Sequence, residues 1–255
     1  MSSRTMWTLG LVVGPLLLSP SAPAVAEQLN TARAYADCLA MARATPEQAY
    51  ERAQTWEAMG GGEPARHCVA IALLGLGKLV PASRLLQELA EQSRRPPAIR
   101  AGMLAQAAQA MLLAGRPGQA NALLGAALAL TPDDVRLLVD RATVLAEARN
   151  YWEAIDDLNR ALDLEPNRVE ALVFRAAAYR YLDTFDLARQ DVDQALTIAP
   201  NSAEALLERG ILERLTGDPK AARRDWMAIL RLDPTTPTAD AARRNIELLD
   251  VKVTR

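Results

Sequence analysis

Pro132, Pro166, Pro200 and Pro234 recur at one constant interval. A fixed period of about 34 residues marks a chain that builds one supersecondary unit several times and stacks the copies. Aligning on the prolines tests that idea. Leu104, Leu138, Leu172 and Leu206 fall in one column. Ala108, Ala142, Ala176 and Gly210 form a second, and Ala120, Ala154, Ala188 and Ala222 a third. Just before the third column lie turn residues: Gly115-Arg116-Pro117, Asn150-Tyr151, Thr184-Phe185 and Gly217-Asp218-Pro219. The unit tails agree as well, reading DLNRALDLEPN, DVDQALTIAPN and WMAILRLDP.

These columns describe a helical hairpin. Leu and small residues recur at helical spacing in each first helix and make one apolar stripe. The small residue lets the second helix approach, and the Ala column is its matching flat surface. Gly, Asn and Pro end the first helix or open the second. The closing proline cannot continue the second helix, so the chain turns into the next unit. One hairpin cannot bury its own stripe, but stacked hairpins can.

The pattern strongly resembles the tetratricopeptide repeat family over about 101–236. The four units are 101–134, 135–168, 169–202 and 203–236. Leu104, Leu138, Leu172 and Leu206 stand where that family favours an aromatic residue early in the first helix. The resemblance implies an all-α fold, a right-handed α-solenoid of stacked antiparallel hairpins. Upstream, 27–100 reads as degenerate hairpins. Gly77-Lys78-Leu79 with Ala82 and Leu86 imitates a turn and second helix. That unit would start near Glu63, and Arg95-Pro96-Pro97-Ala98 takes up its excess spacing to Ala101. Leu29–Ala44 and Pro46–Met59 form an earlier pair that ends at Gly60-Gly61-Gly62. The segment 237–255 reads as a capping helix with a polar face.

The segment 1–26 reads as a cleaved secretory signal. Arg4 is followed by an apolar run from Met6 to Leu18, then by Ala24-Val25-Ala26 before Glu27. That apolar run is too short for a membrane span. The expected location is the periplasm. Cys38 and Cys68 are the only cysteines, and an oxidising compartment favours a disulfide between them over two buried free thiols. Both fall on first helices of neighbouring hairpins.

Charge enters as two columns. Arg141, Arg175 and Arg209 are followed, at one fixed offset, by Asp157, Asp191 and Asp225. The 101–134 unit has Ala107 and Leu123 instead, so both partners are missing together. Joint loss points to structural Arg–Asp ion pairs, since a planar guanidinium suits a carboxylate fork. A row of ligand-binding residues is the other reading of those columns.

No catalytic chemistry is legible. Gly77-Lys78 lacks the upstream glycine, and Leu79 stands where a phosphate loop needs Ser or Thr. His67 is the only histidine, so a Ser-His-Asp or Cys-His site would depend on it. With Cys68 beside it, a metal site still lacks ligands. No catalytic residue, metal or cofactor is expected, and the chain is not read as an enzyme. A net charge of −2 argues against a nucleic-acid partner.

The resemblance implies a concave groove lined by the first helices that takes a protein or peptide partner. Groove-facing candidates are Gln106, Gln109, Asp140, Thr143, Phe174, Ala177, Arg180, Tyr181, Glu208 and Ile211. Aromatics are only 4% of the chain, which singles out Phe174 and Tyr181, with Trp152 beside them. One subclass of the family grips a C-terminal carboxylate with Asn and Lys on its first helices. Those helices here contain neither between 101 and 215. The leading expectation is a periplasmic scaffold in cell-envelope assembly. The alternatives are a chaperone-like holder of extended envelope proteins and an accessory subunit of an envelope enzyme complex.

Overall fold

The computed structural model describes residues 22–253. The leader read at 1–26 lies almost wholly outside them. Thirteen α-helices and no strand occur among the described residues. They pair as hairpins: α1 (Ala22–Ala44) with α2 (Pro46–Ala58), α3 (Gly62–Gly75) with α4 (Leu79–Gln92), and α5 (Pro97–Leu113) with α6 (Pro117–Leu130). Next come α7 (Val135–Glu147) with α8 (Tyr151–Leu164), α9 (Val169–Tyr181) with α10 (Phe185–Ile198), and α11 (Ala203–Leu215) with α12 (Pro219–Leu232). A single helix, α13 (Pro237–Val253), ends the stack. No helix among the described residues is long and apolar enough to cross a membrane.

Local chemistry sets the helix ends. Pro46, Pro97, Pro117 and Pro219 occupy first-turn positions, where the missing N–H costs nothing. Asp134, Ser202 and Asp218 cap their helices by accepting from backbone N–H groups one turn in. Between first and second helices the chain reverses through one left-handed residue: Gly77, Gly115, Arg149, Asp183 or Gly217. The last four keep the period of the prolines. The next amide then reaches back to the helix, as Arg116 N–H does to Met111 O and Asn150 N–H to Leu145 O, both at 2.9 Å. The unit starting at 101 gains one turn at its front, because Pro96 and Pro97 open α5 ahead of Ala101. That makes α5 17 residues long, against 13 in α7, α9 and α11.

Packing follows the columns. Leu104, Leu138, Leu172 and Leu206 are buried, and so are the two small-residue columns. One continuous apolar cluster runs from Ala70 to Leu249. Two small separate clusters join α1 and α2 to α3. Beyond each hairpin, α7 touches α9, α9 touches α11, and α11 touches α13. The first helices are therefore the close-set inner row of the solenoid. Helix α13 packs on both α11 and α12, in the place a further unit's first helix would take.

Candidate functional site

The inner row carries a furrow. At one end Gln106 on α5 and Asp140 on α7 line a cleft of about 470 Å³ with Arg136, Arg168 and Glu170. Next to it Gln109, Asp140, Thr143, Glu170 and Phe174 line one of about 230 Å³. Thr143, Phe174 and Tyr181 continue into a third of about 360 Å³ with Tyr151. Shared residues make the three a single track across α5, α7 and α9. Its α5 end is mixed in charge, with Asp134 beside Arg136 and Glu170 paired with Arg168 at 3.0 Å. Burial, and then the facing Glu170, push the Asp140 carboxyl above its ordinary value. Its α9 end is aromatic. Phe174 is 36% exposed, and Tyr181 is 58% exposed although it is stacked flat on Tyr151 at 4.8 Å.

Beyond α9 the groove closes, which corrects part of the sequence reading. Arg180 and Glu208 were expected to face a partner. They face each other instead: Arg180 donates from Nε at 2.5 Å and from Nη2 at 3.3 Å. Glu208 is only 5% exposed. It sits on the side of α11 turned toward α9, where an unpaired carboxylate would be costly. Burial pushes its pKa up, against the pull of Arg180. The Arg180 guanidinium also lies 4.4 Å from the Tyr181 ring centroid, so it braces the aromatic end. Ala177 and Ile211 are half-buried, and Ile211 packs on the core. Trp152, 61% exposed at the start of α8, lines none of these clefts. Tyr151 does, though its place in a turn column concealed it.

No family model matches the chain, and neither does any curated protein. Solved structures do. The structure described as MamA 41-end from Desulfovibrio magneticus RS-1 superposes with a TM-score of 0.58 at 18% identity, covering 69% of this chain and 97% of that one. YrrB, described as a TPR protein with an unusual peptide-binding site, gives 0.53 at 18% identity, covering 75% and 96%. The fold is a tetratricopeptide repeat (TPR) array.

Within the array, the arginine column braces each of the last three TPR units. Arg141 donates to Asp157 through Nε at 2.7 Å and Nη2 at 2.5 Å. Arg175 does the same to Asp191 at 2.8 and 2.6 Å, and Arg209 to Asp225 at 2.6 and 2.8 Å. Arg175 also reaches back to Asn159 Oδ1 of the preceding unit at 2.8 Å. These forks tie first helix to second helix, and here unit to unit. They raise each Arg pKa above its ordinary value, led by the hydrogen bond to the partner Asp. Asp191→Ala is expected to cost about 2 kcal/mol, because it strands a half-buried guanidinium. Arg175→Ala/Asp191→Ala should cost less than the sum of the single changes. Urea unfolding of the four-member cycle measures the coupling, and strict additivity would dismiss the pairing as a source of stability.

At the other end of the TPR stack, Cys38 on α1 is bonded to Cys68 on α3, with Cα atoms 6.2 Å apart. Beside it the buried His67 joins three first helices. Its Nδ1 accepts from the Tyr35 hydroxyl of α1 at 2.8 Å, and its Nε2–H donates to Gln106 Oε1 of α5 at 2.9 Å. Burial holds its pKa below the ordinary value. The ring is thus a neutral bridge with both nitrogens occupied. Sequence reasoning missed this link because Tyr35 and His67 lie in units that have lost the regular period.

Proposed function

We propose that this chain is a scaffold that holds an extended segment of a partner protein along the α5–α7–α9 furrow. The observation that carries the reading is the exposed aromatic end, Phe174 and the Tyr151–Tyr181 stack, continuous with a polar track of mixed charge. Stiff aromatic faces give contact area at little entropic cost, and interface energy concentrates on such residues. YrrB, a solenoid of the same fold, is described as having a peptide-binding site, which supports the groove as the working face. The Cys38–Cys68 bond and the apolar leader support an exported protein, and we place its work in the periplasm, in assembly of the cell envelope.

The test is a displayed-peptide selection on the purified protein, followed by affinities for the enriched sequences. Phe174→Ala/Tyr181→Ala is expected to weaken binding at least ten-fold with helicity unchanged. Selected peptides that bind the double variant as well as the parent would move the function off this groove. Localisation is read separately, by fractionating cells that express the tagged full chain. Protein retained in the cytoplasm with its leader attached would dismiss the periplasmic assignment.

A further inference from the structure

The arginine column fills a defined slot. Each guanidinium lies between two second-helix residues, one from its own unit and one from the unit before, at equal offsets along the chain. Arg175 bonds to both, Asn159 and Asp191. Arg141 bonds to Asp157, and its Nη1 lies 3.9 Å from where Gly125 would carry a Cβ. In the unit starting at 101 the same three positions hold Glu91, Ala107 and Leu123. No guanidinium is present there, and the slot is open.

The result is a cleft of about 530 Å³ between α4 and α6, on the second-helix side of the stack and away from the furrow. Its volume lies in the range of small-molecule sites. Leu104 and Met111 of α5 form the floor, and Leu123 and Leu130 of α6 form one wall. Val80, Ala90, Ala122 and Ala126 add apolar surface, and the uncharged polar side chains are Ser83, Gln87 and Gln119. The rim is basic, with Arg100 and Arg116 against Glu91, while Arg84 is paired with Glu88 at 3.2 Å. Arg100 is fixed in place by donating to Ala90 O at 2.8 Å.

We propose that this cleft binds a single-chain aliphatic carboxylate, with its alkyl chain on the Leu104–Met111 floor and its carboxylate at the arginine rim. Charge complementarity selects the anionic head. The apolar floor selects the tail. A peptide laid on that floor would leave backbone groups against Leu104, Met111 and Leu123, which offer no hydrogen-bond partner. This site is independent of the groove and of its partner.

The experiment titrates the full-length protein with laurate below micelle formation and, in parallel, with dodecanol below its solubility limit. Saturable laurate binding near one equivalent is expected, with dodecanol at least ten-fold weaker. Ala107→Arg/Leu123→Asp rebuilds the pair of the later units inside the cleft and should abolish binding. Ala126→Trp blocks the cleft from α6, and serves if that double variant folds poorly. Arg100→Gln/Arg116→Gln should bring laurate down to the level of dodecanol. Undetectable laurate binding, equal affinity for the alcohol, or binding that survives both blocking variants would each overturn the proposal. An acidic amphipathic peptide that displaces laurate at lower concentration would also overturn it, and would assign the cleft to a partner helix.

Discussion

Gly210→Ala is expected to destabilise the array by about 3 kcal/mol, at the upper end for overpacking a filled core. Helix propensity alone argues for the opposite sign, since alanine is favoured over glycine inside a helix by about 1 kcal/mol. Packing decides. Gly210 belongs to the column of Ala108, Ala142 and Ala176. Across the hairpin from those alanines, at one constant offset, stand Leu124, Leu158 and Val192, all buried. At the same offset from Gly210 stands Trp226, with no exposed surface. A methyl group on Gly210 would sit 2.8 Å from Trp226 Cε2. The indole has nowhere to go: it is enclosed by the core, and its N–H donates to Leu207 O at 3.3 Å.

The glycine and the tryptophan are thus one exchange of volume across the hairpin, and the pair is testable as a unit. Trp226→Leu alone should cost about 3 kcal/mol through the cavity it leaves. Gly210→Ala/Trp226→Leu recreates the Ala142–Leu158 pairing two units earlier. It should be more stable than either single variant. Urea unfolding reads all four proteins. Single-variant costs that simply add in the double would sink the exchange, as would a Gly210→Ala protein more stable than the parent.

Legibility in the sequence followed repetition. The hairpins, their turns and the Arg–Asp columns stand out because the same physical demand recurs in each unit, so residues that answer it line up. The Glu208–Arg180 pair answers a demand made once. A glutamate on a helix reads as solvated unless the neighbouring helix that buries it is known. The His67 link to Tyr35 and Gln106 spans three units of unequal length, so no single offset exposes it. The joint loss of Arg and Asp at Ala107 and Leu123 was visible as a missing interaction. That the loss leaves an open cleft depends on how closely α4 and α6 approach, and spacing along the chain does not encode that distance.

The same contrast between regular and irregular units sets the second large effect. Removing the Cys38–Cys68 bond is expected to release α1 and α2 while the rest of the stack stays folded. The bond spans 30 residues, and closing such a loop is worth about 3–4 kcal/mol. The apolar packing described for this hairpin is modest. Its fully buried contacts with α3 are two small clusters, built from the cysteines with Ala53 and Val69, and from Ala42, Ala49 and Ala72, with Met41, Tyr50, Ile71, Leu73 and Leu85 packed half-buried against them. Alanine side chains bury little apolar area, and the continuous cluster that begins at Ala70 includes none of the residues described over 31–58. The Tyr35 bond to His67 adds about 1 kcal/mol. Hydrogen exchange on Cys38→Ser/Cys68→Ser should therefore show amides of 31–58 exchanging almost without protection, while those of α7 to α12 are unchanged. Persistent protection over 31–58, or an equal loss along the whole array, would refute a locally fastened hairpin. Because the furrow lies on α5, α7 and α9, peptide affinity should survive the change. The bond then acts as a fastening for the first hairpin alone, at the end where the repeat has lost the columns that hold the other units together.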